Sequence, residues 1–190
     1  MSGDAAPRRV ALYGGSFDPP HTAHVLAATW ALCRAGVDAL YVIPTFRHPF
    51  GKELAPFSAR VEMLRLAMAH LGPTVHIDTI ESERAEPSYT VDTVQALQRR
   101  EPDTRFVWLL GTDAWAGRER WHDFERLERL VDFVLIGRDG QPDPPGLPVP
   151  VHLPAIASSE IRSRLRAGLP TAHLLPAGVA AWLADHGLYR

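Results

Sequence analysis

The sequence predicts an α/β fold with a doubly wound, mostly parallel sheet, helices on both faces and a small helical part at the C-terminus. Three observations carry this prediction. Short apolar runs alternate with longer segments of helical periodicity, which is the rhythm of repeated βαβ units. The runs are continuously apolar, as expected of strands that are covered on both sides. Glycine or proline directly follows most of these runs and ends them.

The first half of the chain carries three predicted strands, at 10–13, 40–43 and 75–77. Residues 21–35 are predicted to form a helix, and the apolar residues that recur there at helical spacing are Val25, Leu26, Trp30 and Cys33. Cys33 is the only cysteine, which rules out an internal disulfide, and it is interpreted as a small buried hydrophobe. Ser58 is the expected N-cap of a second helix, which ends at Gly72.

The second half carries predicted helices at 90–100, 158–168 and 176–187 and predicted strands at 106–110 and 133–136. The proline-rich residues 141–150 can form neither a helix nor a central strand, so a surface loop is expected there. A length of 190 residues suits one domain. We therefore expect a single domain over 1–190, with its C-terminal helical part at about 156–190.

The predicted strand ends are the place to look for a ligand, because parallel α/β sheets bind ligands beyond the carboxyl ends of their strands. The residues at these ends are Gly14-Gly15, Pro44-Thr45, Gly111-Thr112-Asp113 and Gly137-Arg138. The fold is expected to gather these separated segments into one cleft.

Composition narrows the class of protein. A formal net charge of -2 and a pI near 6.5 argue against a nucleic-acid-binding protein, which usually has a basic surplus. No apolar run approaches the roughly 20 residues of a membrane span. Residues 1–9 are polar and lack the apolar core of a signal peptide. A soluble cytoplasmic protein is expected, and a homo-oligomer is compatible with the sequence.

The segment 14–24, with the sequence GGSFDPPHTAH, has the chemistry of a phosphate site. Two glycines before a helix start let the backbone approach a ligand and aim free N–H groups at it. His21 and His24 can lie on one helical face and donate hydrogen bonds to a polyphosphate. A pair of structural histidines and a metal site completed by Asp18 remain alternatives. A dehydrogenase is disfavoured, since no third glycine completes the dinucleotide fingerprint.

This segment resembles the signature of the nucleotidylyltransferase superfamily with the H-x-G-H motif, although Ala23 stands where the family usually has glycine. Residues 156–162, IASSEIR, resemble the I-S-S-T-x-I-R motif of the same superfamily, with Ala157 for its first serine and Ser159 for its threonine. The resemblance implies catalytic roles for His21, His24 and Arg162. It also implies ATP contacts for Gly14, Gly15, Ser16, Phe17, Ser158 and Ser159. The ordinary alternative at the second motif is a serine N-cap with a solvent-facing arginine.

Segments 87–93, 110–115, 120–124 and 175–189 resemble bacterial nicotinate-nucleotide adenylyltransferases, so the resemblance covers nearly the whole chain. It implies that Trp121 stacks on the pyridine ring and that donors around Ser88, Tyr89 and Thr90 hold its carboxylate. The nucleotide pocket and the ATP phosphates would be contacted by Gly111, Asp113 and Arg138. Packing aromatics and ordinary helix caps are the alternative interpretation.

The loop 45–57 departs from that family's commoner pattern, in which Pro-Pro-His-Lys occupies this position. Its basic character persists in Arg47, His48 and Lys52, but their spacing differs. We expect this loop to bind the phosphate of the mononucleotide.

The family resemblance implies a reaction in which ATP and nicotinate mononucleotide give nicotinate adenine dinucleotide and pyrophosphate, in NAD biosynthesis. The cofactor would be Mg²⁺ that arrives with ATP, so no protein metal site is expected. Two alternatives stay open: an adenylyltransferase for nicotinamide mononucleotide, and a non-catalytic nucleotide-binding module. Pantetheine-phosphate adenylyltransferases fit less well, because they typically have threonine at the position of His21 and lack the Trp121 region.

Overall fold

The computed structural model describes residues 6–84 and 87–190; the other residues, including part of the polar segment 1–9, lie outside the described chain. A six-stranded sheet with the strand order β3-β2-β1-β4-β5-β6 forms its centre, and every pairing is parallel. The strands are β1 (Arg9–Gly15), β2 (Ala39–Pro44), β3 (Val75–Ile77), β4 (Arg105–Gly111), β5 (Asp132–Arg138) and β6 (His152–Leu153). The order reverses between β1 and β4, which is the doubly wound, Rossmann-like arrangement. The predicted fold class is confirmed.

Helices cover both faces of this sheet. They are α1 (Thr22–Arg34), α2 (Phe57–Met68), α3 (Thr90–Arg100), α4 (Thr112–Ala116), α5 (Phe124–Leu130), α6 (Ser158–Arg166) and α7 (Ala177–His186). Short 3₁₀ segments lie at Ala69–Thr74, Ile80–Glu83 and Arg118–Arg120. None of the helices in the described ranges is long and apolar enough to cross a membrane.

Alternation along the strands divides the core into two layers. On one face, Ala11, Leu40 and Leu109 pack against α1, α2, α6 and α7. On the other face, Leu12 and Trp108 pack against α3 and α5. Both faces are therefore apolar, which explains why the strands are continuously hydrophobic in sequence.

Helix α1 buries a different face from the predicted one. Its buried residues are the alanines Ala27, Ala28 and Ala31, whereas Leu26 is 39% exposed. Cys33 is exposed, so its interpretation as a buried hydrophobe was wrong. Small side chains let a helix approach the sheet closely, and this packing overrides the hydrophobic ranking of the individual residues.

Several other elements differ from the sequence-based expectation. The N-cap of α2 is Pro56, and Ser58 lies inside the helix. The short elements α4, α5 and β6 were not predicted, because each is too brief to show a clear period. The bounds of α3 agree with the prediction, as do the inward positions of Val91, Val94 and Leu97.

Candidate active site

A cavity of about 690 Å³ opens at the carboxyl edge of the sheet. As predicted, it is shared by the ends of separate strands, whose lining residues are Gly14, Gly15, Thr45, Gly111, Gly137 and Arg138. The reversal of strand order between β1 and β4 separates the loops that follow them, and this leaves the crevice in which α/β proteins bind ligands.

The two glycines that end β1 are required by close packing. A Cβ atom on Gly14 would lie 2.6 Å from the Trp108 ring, and one on Gly15 would lie 3.1 Å from the Phe17 ring. Neither position can therefore carry a side chain without displacing an aromatic neighbour. The cavity wall at this point is bare backbone, which a ligand can approach closely.

Phe17 is not among the residues that line the cavity. Its side chain is 2% exposed, and its ring contacts His24 edge-on with 4.9 Å between the ring centroids. Its φ of 47° places it in the left-handed region, where a non-glycine residue is uncommon. The turn thus directs this ring into the core, beneath the histidine.

His21 and His24 form a stacked pair at the start of α1. Their ring centroids are 3.7 Å apart and their planes differ by 23°. The backbone N–H of His21 donates to Nδ1 of His24 at 3.1 Å, which leaves the proton of a neutral His24 on Nε2. His21 is 2% exposed, and its Nδ1 is enclosed without a hydrogen-bond partner. Both rings line the cavity.

Both imidazoles are neutral at pH 7. Burial, with a smaller effect of the positive charge of Arg138, lowers the pKa of His21 to about 4. Burial, then His21 and Arg138, lowers the pKa of His24 well below its ordinary value. The pair therefore offers N–H donors to a ligand and carries no charge of its own.

Arg138, the last residue of β5, and Asp113, in the first turn of α4, line the same cavity. Their side chains form an ion pair with 3.5 Å between Nη1 and Oδ2, and both are partly exposed. Arg138 lines the same cavity as both histidines, so its guanidinium borders the same space. A cation so placed, beside neutral donors and bare backbone, suits a phosphate chain.

The second motif docks behind the first and does not line the cavity. Ser158 Oγ donates to the carbonyl of Pro19 at 2.9 Å, and Arg162 Nη1 donates to the carbonyl of Asp18 at 2.6 Å. Ser159 is exposed. The start of α6 therefore holds the segment 14–24 in place.

Asp18 is engaged from several sides by protein groups. Its buried carboxylate accepts hydrogen bonds at Oδ1 from the Tyr189 hydroxyl at 2.5 Å and from the backbone N–H of Ala55 at 3.2 Å. Among the residues in 6–84 and 87–190, no group of three or more side chains is arranged to hold a metal ion. The structure gives no support to a metal site built on Asp18 with His21 and His24.

The other half of the cavity is formed by loops and is aromatic. Tyr89 stacks on His122 with 4.3 Å between centroids, and Trp121 meets Phe124 edge-on at 6.0 Å. The residues proposed from the sequence that line this half are His48, Ser88, Tyr89, Thr90 and Trp121. Lining residues that the sequence interpretation did not propose are Phe50, Glu81, Arg120 and His122.

Glu81 joins the loop 45–57 to helix α3. It is 5% exposed, its Oε2 accepts from the backbone N–H of Phe46 at 3.1 Å, and its Oε1 accepts from the Thr93 hydroxyl at 3.0 Å. Burial raises the pKa of its carboxyl, and hydrogen bonds from Ser88, Phe46 and Thr93 partly offset that rise. An acidic residue in a short 3₁₀ segment carries no motif, so only the folded chain shows this role.

Arg47 and Lys52 are not among the lining residues. The backbone N–H of Arg47 donates to Ser88 Oγ at 3.1 Å, and Lys52 is exposed. Arg120 does line the cavity, and its guanidinium lies 6.0 Å from the centroid of the Phe50 ring.

Arg60 ties the loop 45–57 to the segment 14–24. It is 1% exposed and donates to three carbonyl oxygens, those of Ser16 at 2.8 Å, Thr45 at 2.8 Å and Ala55 at 3.0 Å. A buried guanidinium is stable there because each nitrogen has an acceptor. The two halves of the cavity are thus joined by one side chain.

The fold and the site define a nucleotidyltransferase, and a family model described as cytidylyltransferase-like matches residues 12–164. A probable nicotinate-nucleotide adenylyltransferase of Anaeromyxobacter dehalogenans is 45% identical over 186 residues, which cover 96% of this chain and 97% of that one. A probable nicotinate-nucleotide adenylyltransferase of Thermus thermophilus is 37% identical over 186 residues, which cover 96% of this chain and 100% of that one. The chain belongs to the nicotinate-nucleotide adenylyltransferase family, and the resemblance inferred from its motifs is confirmed.

Solved structures agree on the fold. A nicotinic acid mononucleotide adenylyltransferase of Plasmodium falciparum, complexed with NaAD, superposes with a TM-score of 0.81 at 20% identity, covering 96% of this chain and 97% of that one. A putative nicotinate-nucleotide adenylyltransferase of Vibrio parahaemolyticus gives a TM-score of 0.75 at 17% identity, covering 96% of both.

Proposed function

We propose that ATP occupies the half of the cavity around the segment 14–24 and that nicotinate mononucleotide occupies the aromatic half around Trp121. The reaction transfers the AMP moiety of ATP to the mononucleotide, giving nicotinate adenine dinucleotide and pyrophosphate. One observation carries the assignment: a stacked pair of neutral imidazoles lies beside a bare double-glycine turn, in the same cavity as the aromatic loops.

Donors aimed at one space support the ATP half. The backbone at Gly14, Gly15 and Ser16 and the N–H groups of His21 and His24 would hold phosphate oxygens. Arg138 would leave its ion pair with Asp113 to meet the polyphosphate, while Gly111 and Asp113 border the nucleoside. Phe17 would support this site from below through His24.

Flat rings and polar groups support the mononucleotide half. Trp121 is partly exposed in the cavity wall and can stack on a pyridine ring. The hydroxyls of Tyr89 and Thr90, with Ser88 beside them, would hold the carboxylate. His48 and Arg120 border the same space. Arg47 and Lys52 do not line the cavity, and they would add positive charge from the loop 45–57.

In the chemical step, a phosphate oxygen of the mononucleotide attacks the α-phosphorus of ATP in line with the leaving group. The new P–O bond forms as the bond to the bridging oxygen breaks, and that oxygen leaves with pyrophosphate. The attacking oxygen is already anionic at neutral pH, so no general base is needed. Catalysis consists of holding two anions in line and stabilising the charge of the leaving group.

Arg162, Ser158 and Ser159 are proposed to act on the leaving pyrophosphate. Since they do not line the cavity, this requires the polyphosphate to extend toward the start of α6. Mg²⁺ would arrive bound to the phosphates, and its chemistry would be to neutralise their charge. Such an ion fits the site, because the imidazoles and the backbone of the double-glycine turn would bind the phosphates that carry it.

The acid mononucleotide is favoured over the amide by the charge of the aromatic half. The guanidinium of Arg120 borders this space, and a pyridine carboxylate gains from a cation where an amide does not. Glu81 also borders it, but its carboxylate oxygens already accept hydrogen bonds from Phe46 and Thr93.

The test is pyrophosphate release with ATP and each mononucleotide in parallel. We expect kcat/KM to be at least about ten-fold higher for the acid, as for one charge-assisted hydrogen bond. A preference for the amide would overturn the substrate and leave the reaction class standing. Release with neither mononucleotide would favour a non-catalytic nucleotide-binding module.

A further inference from the structure

Tyr13 is the last residue of β1 before the two glycines, and it lines the cavity. Its ring has packing partners in the core layer on the α1 side. It meets Phe17 edge-on at 5.4 Å and lies tilted against His24 at 6.1 Å. Its hydroxyl makes no hydrogen bond to any residue of 6–84 or 87–190. A phenylalanine would pack in the same way, so packing does not account for the oxygen.

The surroundings of this hydroxyl are those of the proposed phosphate site. Burial raises the pKa of the phenol, the charge of Arg138 opposes the rise, and that of Asp113 adds to it. Tyr13, His21, His24 and Arg138 all line the same cavity, so the phenol, both imidazoles and the guanidinium border one space. The phenol is protonated at neutral pH and is available as a donor.

A strand position makes this donor well placed for binding. Tyr13 pairs with Val42 of β2, and the preceding residue Leu12 pairs with Trp108 of β4, so the sheet holds the backbone at and next to Tyr13. The side chain has few torsions, and its ring is packed against Phe17 and His24. A hydroxyl held in this way loses little freedom when a ligand binds.

We propose that Tyr13 is a further ATP-binding residue, whose hydroxyl donates a hydrogen bond to a phosphate oxygen of the polyphosphate. The inference rests on the proposed placement of ATP in this half of the cavity. The chemistry of the site selects a phosphate, because neutral donors and a guanidinium surround a space that an acceptor-rich anion fills. Within residues 6–84 and 87–190 the oxygen has no hydrogen-bond partner, so a bound phosphate would supply the acceptor.

The test is Tyr13→Phe, which removes one oxygen and keeps the ring. We expect the Kd for ATP, measured by calorimetry without mononucleotide, and the KM for ATP to rise about ten-fold, as for one hydrogen bond to a charged acceptor. Competitive inhibition by inorganic tripolyphosphate should weaken by a similar factor. The KM for nicotinate mononucleotide and the midpoint of thermal unfolding should not change.

Tyr41→Phe is the matched control. Tyr41 lies in the neighbouring strand, does not line the cavity, and donates to Glu101 at 3.0 Å on the other side of the sheet. This variant should lose stability and bind ATP as the wild type does. Unchanged ATP binding in Tyr13→Phe, or a rise in the KM of the mononucleotide instead, would overturn the proposal. Because ATP binding is measured without turnover, a wild type that binds ATP but releases no pyrophosphate would contradict the proposed function alone.

Discussion

The two halves of the cavity are built in different ways. The ATP half consists of strand ends and the start of α1, where backbone geometry decides the position of each group, as at Gly14 and Gly15. The mononucleotide half consists of the loops 45–57, 87–90 and 117–124, which side-chain contacts hold together. Arg60 and Glu81 supply several of these contacts, each by reaching across to another segment.

This difference indicates which half of the cavity needs the more precise placement of its groups. The reacting phosphates have to be aligned closely, which rigid elements achieve better than loops. The pyridine ring has to be recognised, and a stacking surface with a few donors suffices for that. Substitutions in the first half should therefore affect turnover, and those in the second half should affect the binding of one substrate.

The largest expected effect is that of His24→Ala, which removes one proposed donor to the polyphosphate. We expect kcat to fall by about 100- to 1000-fold, as for the loss of a donor that stabilises charge in the transition state. Steady-state pyrophosphate release measures it, with circular dichroism to show that the fold is kept. His70→Ala, at an exposed histidine in the 3₁₀ segment after α2, is the control and should be fully active. Near-normal turnover of His24→Ala would contradict the expectation that the first half of the cavity controls turnover.

The pH dependence of stability tests the buried histidine pair of the first half. The pKa of His21 is about 4 in the folded chain, and an unfolded histidine has its ordinary value of 6.5. The unfolded state therefore binds more protons between these values, so stability is full above pH 6.5 and is lost as the pH falls toward 4. His21 alone should account for a loss of about 3 kcal/mol in the free energy of unfolding.

Urea denaturation of the wild type and of His21→Gln across that pH range measures the contribution of His21 to the free energy of unfolding. The difference between the two curves should shrink as the pH falls, while the raised pKa of Glu81 acts in the opposite direction in both proteins. A constant difference would mean that His21 titrates normally in the folded protein.

An intermediate effect is expected for Trp121→Ala in the second half. The KM of nicotinate mononucleotide should rise about ten-fold, which is typical of the loss of one stacking contact, while the KM of ATP changes little. Trp121→Phe should recover part of the loss, since it keeps a flat ring. Equal losses for both substrates would show that Trp121 supports the fold of the loop.

The smallest effects are expected for substitutions of two basic residues in the loops of the second half. Arg120 borders the cavity and Lys52 does not. Arg120→Ala should raise the KM of the mononucleotide about five-fold, and Lys52→Ala should change it by less than about two-fold, as for an exposed charge. The reverse order would restore the sequence-based hypothesis that Lys52 serves the mononucleotide phosphate.

The first half was largely predictable because its groups are contiguous in sequence. The segment 14–24 contains its glycines and histidines within one turn and one helix start, so its chemistry can be read directly. The second motif, at 156–162, was also recognised in the sequence, but its position behind the cavity was not predicted. That Arg162 binds the carbonyl of Asp18 behind the cavity depends on how α6 packs.

The second half was predictable only in part. Tyr89, Thr90 and Trp121 were found through a family resemblance. Glu81 and Arg120 lie in short charged 3₁₀ segments, and charged residues of such segments are usually solvated surface groups, so neither was proposed from the sequence. Their positions in the cavity wall follow from contacts between segments that are distant in sequence.

The sequence by itself determined the order and type of the main elements, the parallel sheet and the double-glycine turn that we propose as the phosphate site. These follow from apolar runs, breakers and sterics within a few neighbouring residues, as the agreement at α3 illustrates. Only the tertiary structure decided that α1 buries alanines and exposes Cys33, and that Tyr13 lines the cavity. The physical reason is that burial and hydrogen-bond pairing depend on which distant surfaces meet, and local sequence does not contain that information.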